Sequence, residues 1–296
     1  MSPVIHTEGL TKRYHDRPAL SGLDLDVQAG TLFGYLGPNG AGKTTTIRLL
    51  AGLIRPTAGY ASVLGADVVR ERETAQRRIG YLPGDFVAYP DLTAAEYLRY
   101  MANLRGGVDA SATRQLAKRL DLDLDHVIGA MSHGNRQKVG IVQALQHDPE
   151  LLILDEPTQG LDPLVQREFL AMLREARSAG RTVFLCSHVL SEVEAVADTV
   201  GILRQGHLVE VASVAGLKAK ALRRLDIMFE SAPPIDTLRS VPGVTEVVAN
   251  GSGVQVLVAG SMAALLAAAA PFRIASLVTH EPDLEEIFLT YYGEQG

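Results

Sequence analysis

GPNGAGKTT, residues 37–45, lies between an apolar run at 31–36 and a segment at 44–51 with helical character. It matches G-x-x-x-x-G-K-[ST] in the setting strand, loop, helix. Each residue type there has a physical task. The stretch Gly37, Pro38, Asn39, Gly40, Ala41, Gly42 lets successive backbone N–H groups turn inward toward phosphate oxygens. The helix opening at Thr44 and Thr45 adds the positive end of its dipole. Lys43 is placed to reach the β- and γ-phosphates, and the Thr44 hydroxyl to ligate Mg²⁺. The plain alternative is a Gly-rich turn before a helix. The flanking strand and helix favour the reading as a nucleoside triphosphate site, with Mg²⁺ as the expected metal.

A second acidic element follows downstream. Residues 151–157 read LLILDEP. Asp155 ends an apolar run, where a Mg²⁺-organising acid belongs, and Glu156 comes next. Two acids after four apolar residues also describe a strand end meeting a solvated loop. With a phosphate loop upstream, Glu156 becomes the candidate to polarise the attacking water.

The bulk properties bound the class. The chain has 296 residues, 47% apolar and 21% charged, with a net charge of −6. That is a globular chain with ample core. No concentrated basic run suits a nucleic-acid backbone, so no nucleic-acid partner is expected. One cysteine, Cys186, excludes an internal disulfide framework and fits a reducing cytosol. No apolar run approaches the roughly 20 residues that span a bilayer.

The pattern along the chain predicts an α/β fold. Alternation over 23–27 gives a half-buried strand. Thr93 and Glu96 form a capping box that opens a helix to about Leu104. Further helices are expected over 111–120, from a Ser132 cap to about Gln146, and from the Asp162-Pro163 start to about Ser178. Strands are expected over 79–82, 151–154 and 182–186, with a hairpin across Gln205-Gly206. Residues 1–219 thus form one domain of N-terminal antiparallel strands, a central α/β part and a helical insertion over about 85–150. Residues 220–296 form a second domain. Its order is strand 225–230, helix 234–240, strands 244–249 and 253–258, helix 261–270, strand 274–279 and helix 282–292. That order is the ferredoxin-like, split-βαβ pattern, and a regulatory or contact role is expected for it.

Taken together, residues 4–215 resemble the ATP-binding subunits of ABC transporters. The phosphate loop GPNGAGKTT, the signature MSHGNRQK at 131–138, LLILDEP, the D-loop GLDP at 160–163 and His188 in CSHVL occur in the family's order. The resemblance implies a head-to-tail homodimer with ATP sandwiched between one subunit's phosphate loop and the other's signature. Ser132 and Gly134 would then approach the γ-phosphate across the interface, and Asp162 would link the two sites. His188 would hold the γ-phosphate and the attacking water, and Tyr14 would stack on adenine.

Two departures from the family pattern stand out. His133 replaces a small glycine, which predicts crowding of the nucleotide or an added polar contact, and slower closure. In YLPGDF, residues 81–86, Gly84 stands where the family carries a Gln. Asp85, one residue on, either supplies a carboxylate to Mg²⁺ or merely caps the turn.

The tail ending in EPDLEEIFLTYYGE resembles ABC-2 export ATPases for drugs, antibiotics and lipids. It implies a separate membrane permease, docked beside 84–105, that would hold this cytoplasmic chain at the inner face of the cell membrane. A soluble assembly ATPase and an importer ATPase remain the alternatives.

Overall fold

A computed structural model describes residues 3–251 and 253–293. The chain divides into two compact units, Met1–Val211 and Ala212–Gly296. Glu294, the last residue of the tail motif, lies outside the described residues.

In the first unit, β1 (Ile5–Tyr14), β2 (Arg17–Val27), β4 (Ala58–Val63) and β5 (Ala66–Asp67) form an antiparallel sheet in the order β2-β1-β4-β5. The second sheet orders β10 (His207–Ser213), β9 (Thr199–Arg204), β3 (Leu32–Leu36), β8 (Thr182–Cys186), β7 (Leu151–Asp155) and β6 (Ile79–Leu82). Strands β9, β3, β8, β7 and β6 run parallel. Every residue of β3, β7 and β8 is buried, as expected of strands covered on both faces. Gln205 and Gly206 both have positive φ, 49° and 80°, which suits the tight turn between β9 and β10.

Helix α1 (Lys43–Leu50) packs between the two sheets. Ile47, Leu49 and Leu50 join Ile5, Leu23, Phe33 and Ile153 in one core. Phe33 stacks on Phe184 with centroids 5.5 Å apart, which ties β3 to β8. Helix α2 (Arg72–Arg78) leads into β6.

The helical insertion comprises α3 (Ala94–Leu104), α4 (Ala110–Arg119) and α5 (His133–Leu145). The Thr93–Glu96 capping box is complete, and the Ser132 hydroxyl accepts from Asn135 N at the start of α5. Helix α6 (Pro163–Ser178) has Asp162 as its cap and Pro163 in its first turn. Arg119 on α4 binds Glu168 and Glu175 on α6, which ties the insertion to the parallel-sheet layer. Helix α7 (Leu190–Val196) follows β8.

The second unit opens with α8 (Val214–Lys220) and continues β11 (Arg223–Phe229), α9 (Ile235–Arg239), β12 (Val244–Asn250), β13 (Gly253–Val258), α10 (Ala263–Ala269), β14 (Ile274–His280) and α11 (Leu284–Gly293). Its antiparallel sheet runs β12-β13-β11-β14, the strand order of a split-βαβ unit. Leu225, Ile227, Val254 and Val256 face Leu238 and Leu265 from the two helices in a core of its own.

Candidate active site

Strand β3 delivers the chain into the 37–42 loop, and α1 starts at Lys43. Two glycines make the loop possible. Gly42 sits at φ 110°, and a Cβ there would strike the Ala19 carbonyl. A Cβ on Gly37 would lie 2.6 Å from the Leu203 carbonyl. The loop backbone is therefore pressed against β2 and β9 on one side. Its other side borders a cavity of about 220 Å³ lined by Ala19, Pro38, Asn39, Gly40, Gly42, Lys43, Thr44, Thr45, Asp155 and Glu156. Gly37 and Ala41 shape the loop without lining the cavity. Ala19 was not picked out in the sequence, since nothing local marks a backbone approach from β2.

The buried Lys43 ammonium donates to Gly37 O at 2.5 Å and Pro38 O at 3.2 Å. Among the described residues it has no ion pair. A buried cation served only by carbonyls suits an anionic ligand in the adjoining cavity. The Thr44 hydroxyl donates to Asp155 Oδ2 at 2.9 Å. The pKa of Asp155 is raised, by burial first and also by the neighbouring Glu156, against the lowering pull of the Thr44 bond and of Lys43. Two neighbouring hard oxygens, one of them a carboxylate, fit a Mg²⁺ ion. Among the described residues no group of three His, Cys, Asp or Glu comes together as a metal cluster. The remaining ligands would be phosphate and water oxygens, as is usual for Mg²⁺ with nucleotides.

Glu156 caps the end of β7 at φ 50°, an uncommon conformation for a non-glycine residue. Its N–H donates to Cys186 O at 2.9 Å. Its Oε2 lies 2.7 Å from His188 Nδ1 and accepts from His188 N at 3.2 Å. The two residues expected to do the chemistry are thus in direct contact. Around them stand residues the sequence did not single out. Gln137 on α5 is buried and donates to Glu156 O and Pro157 O at 3.3 and 3.1 Å. Thr158 donates to Glu192 on α7, whose pKa is raised by burial.

The other expected residues lie elsewhere. Ser132 and Gly134, at the start of α5, are outside the cavity of their own chain. Asp162 accepts from Leu164 N and Val165 N, and these bonds, Val165 first, lower its pKa. Tyr14, at the β1–β2 hairpin, is 43% exposed and does not line the cavity; the Lys12 ammonium sits 5.3 Å from its ring centroid. Asp85 is exposed and also does not line the cavity, whereas a Cβ on Gly84 would lie 3.5 Å from the Asp155 carboxyl. His133 has a neighbour the sequence did not suggest. Its ring lies against the D-loop of its own chain, with Cδ2 2.5 Å from where a Gly160 Cβ would be. A Cβ on Gly134 would strike the Gly160 carbonyl.

The loop, the Thr44–Asp155 pair and the Glu156–His188 contact define a P-loop nucleoside triphosphatase. Comparison with known proteins narrows this class. Residues 20–159 match the ABC transporter family. The bacitracin transport ATP-binding protein BcrA of Bacillus licheniformis is 39% identical over 232 residues, covering 77% of this chain and 76% of that protein. The linearmycin resistance ATP-binding protein LnrL of Bacillus subtilis (strain 168) is 30% identical over 306 residues and 98% of each chain. A solved ATP-binding subunit of an ABC transporter superposes with a TM-score of 0.68 at 30% identity, covering 73% of this chain and 92% of its own. The chain belongs to the ABC transporter family, as an ATP-binding subunit whose ATPase activity is coupled to transport. Among the described residues no helix is long and apolar enough to cross a membrane.

Proposed function

We propose that this chain is the Mg²⁺-dependent ATPase of an exporter for a hydrophobic compound, drug or lipid, working as a head-to-tail homodimer at the inner membrane face. The observation that carries the reading is the Glu156 carboxylate, held by His188 beside the phosphate cavity. Lys43 would give up its loop carbonyls for phosphate oxygens. Thr44 and Asp155 would hold Mg²⁺, which neutralises phosphate charge in such sites. Glu156 would take a proton from the attacking water, and His188 would hold that water and the γ-phosphate. Ser132 and Gly134 of the partner would complete the phosphate contacts from a helix N-terminus. Their place outside their own chain's cavity supports that arrangement. Tyr14 would offer its exposed ring to adenine.

The transport side rests on relatives and on one surface. Bacitracin transport and linearmycin resistance are the roles named for the two relatives, and an ABC-2-type permease is the partner that suits such compounds. Phe86, Tyr89, Tyr97 and Tyr100 form an edge-to-face series of rings 5.9–6.2 Å apart. Tyr89, Val87 and Leu104 are mostly exposed beside it. This apolar strip is where a permease would dock.

Glu156→Gln tests the chemistry. Phosphate release should fall by about 10²–10³-fold, within the range for a lost general base. ATP binding should persist, and sedimentation should show an ATP-stabilised dimer. Hydrolysis at the parent rate removes Glu156 from its role.

A further inference from the structure

Glu192 lies outside the phosphate cavity and has no part in the chemistry above. It stands in the first turn of α7, and its Oε2 accepts from the Thr158 hydroxyl at 2.6 Å. Thr158 is 3% exposed, so little water is available to replace that bond. Thr158 belongs to the turn that Glu156 begins. The turn is closed by Gln159 N on Glu156 O at 3.3 Å and Leu161 N on Thr158 O at 3.1 Å. Gln166 reaches the Thr158 carbonyl as well, at 3.4 Å.

Glu156 holds a backbone conformation, φ 50°, that persists only when its surroundings over-determine it. Two cross-links do so together. His188, just before α7, grips the Glu156 carboxylate through N and Nδ1. Glu192, on α7 itself, grips the turn two residues beyond Glu156. The path from Glu156 to His188, along α7 to Glu192, across to Thr158 and back to Glu156 is a closed ring. Breaking the Thr158 side removes the side-chain tie between the turn and α7 and leaves the turn to Gln137, Gln166 and the Cys186 carbonyl, while the carboxylate must still meet His188.

We propose that Glu192 is a positioning residue for ATP hydrolysis: through Thr158 it holds the turn that carries Glu156, and so keeps that carboxylate in register with His188. This rests on Glu156 as the group that activates water. The bond requires an acceptor and no charge, so a glutamine oxygen serves in place of the carboxylate.

The test measures kcat and KM for ATP in the full chain bearing Glu192→Ala, Glu192→Gln, Thr158→Val or the Glu192→Ala/Thr158→Val pair. Glu192→Ala and Thr158→Val should each lower kcat about 10-fold, or about 1.4 kcal/mol, with KM within about twofold. Glu192→Gln should keep kcat within about twofold of the parent. The double variant should fall no lower than either single one, because both remove the same bond. Thr158→Val preserves side-chain shape and carries the test if Glu192→Ala does not fold. Glu156→Gln separates the two readings. If it hydrolyses ATP normally, the role of Glu156 fails. If it is inactive while Glu192→Gln is as slow as Glu192→Ala, or the single losses multiply, or only KM rises, positioning by Glu192 is overturned.

Discussion

Acid should loosen the joint between α5 and β6, and His147 sets the pH at which it does. His147 directly follows the α5 C-cap, Gln146. Its Nε2 lies 3.1 Å from Ile79 O at the start of β6. A carbonyl only accepts, so this nitrogen carries the hydrogen of the neutral ring. Arg105 donates to the same carbonyl at 3.3 Å. Protonating the ring would place a second cation beside the guanidinium in a half-buried site. Burial first, then Arg105, pushes the His147 pKa down to about 4. The backbone carbonyls of Ile79 and Gln143, and after them Asp148, pull the other way; the Asp148 carboxylate is already paired with Arg181. An unfolded chain would titrate near 6.5. Below that pH it takes up a proton that the folded chain refuses. Stability is therefore full above pH 6.5 and is lost as pH falls toward 4. Between pH 7 and pH 5 the loss is about 2 kcal/mol, or about 1 kcal/mol once solvent screening of a half-covered ring is allowed for. Urea unfolding at both pH values, on the parent and on His147→Gln, isolates the effect because the carboxylates titrate alike in both proteins. The variant should lose less stability than the parent by that amount. Equal losses would refute the assignment.

Two further outcomes follow from the loops around the site. His133→Gly should free Gly160 from the ring now lying on it, speeding closure and raising both ATP turnover and ATP-dependent dimer formation several-fold; unchanged values in steady-state kinetics and sedimentation would show the substitution to be neutral. Asp85→Ala should leave the Mg²⁺ dependence of turnover unaltered, because Asp85 does not line the cavity; a Mg²⁺ titration shifted to higher concentration would restore it as a ligand.

Much of this was legible because short-range chemistry wrote it. Ser132, Asp162 and the Thr93–Glu96 pair each cap the helix they announce, since a cap is satisfied by the next three residues alone. The phosphate loop is equally local. Strand β1 was hidden for a physical reason. Its register against β2 shifts between Thr7 and Leu10, where Gly9 of β1 has positive φ, between Leu10 and Lys12, opposite Gly22 of β2 at positive φ, and once more between Lys12 and Arg13. Such bulges break the two-residue alternation that betrays a strand. Helix α7 was hidden because Val189 stands at its cap position and makes no side-chain cap bond. Gln137, Thr158 and Glu192 were hidden because each acts on a segment far away in sequence, where no spacing rule applies.

The stretch YLPGDF sets a residue with no side chain beside an acid for which the sequence leaves two roles open, a Mg²⁺ ligand or a turn cap. An acid one residue beyond Gly84 invites a role at the metal, because carboxylates suit hard cations. The backbone turns the other residue toward the site. A Cβ at 84 would begin 3.5 Å from Asp155 Cγ and Oδ2, at ordinary contact distance, so the position addresses the Asp155 carboxyl and glycine there presents it with no side chain. Asp85 is exposed and does not line the cavity. Asp155 keeps Thr44 as its bonded partner, at 2.9 Å; under the proposed function this pair, rather than Asp85, would offer the protein's oxygens to Mg²⁺. Two residues beyond Gly84, the Phe86 ring meets Tyr97 in the helical insertion at 6.2 Å. That links the phosphate site to the exposed aromatic strip by packing instead of by a shared metal ligand.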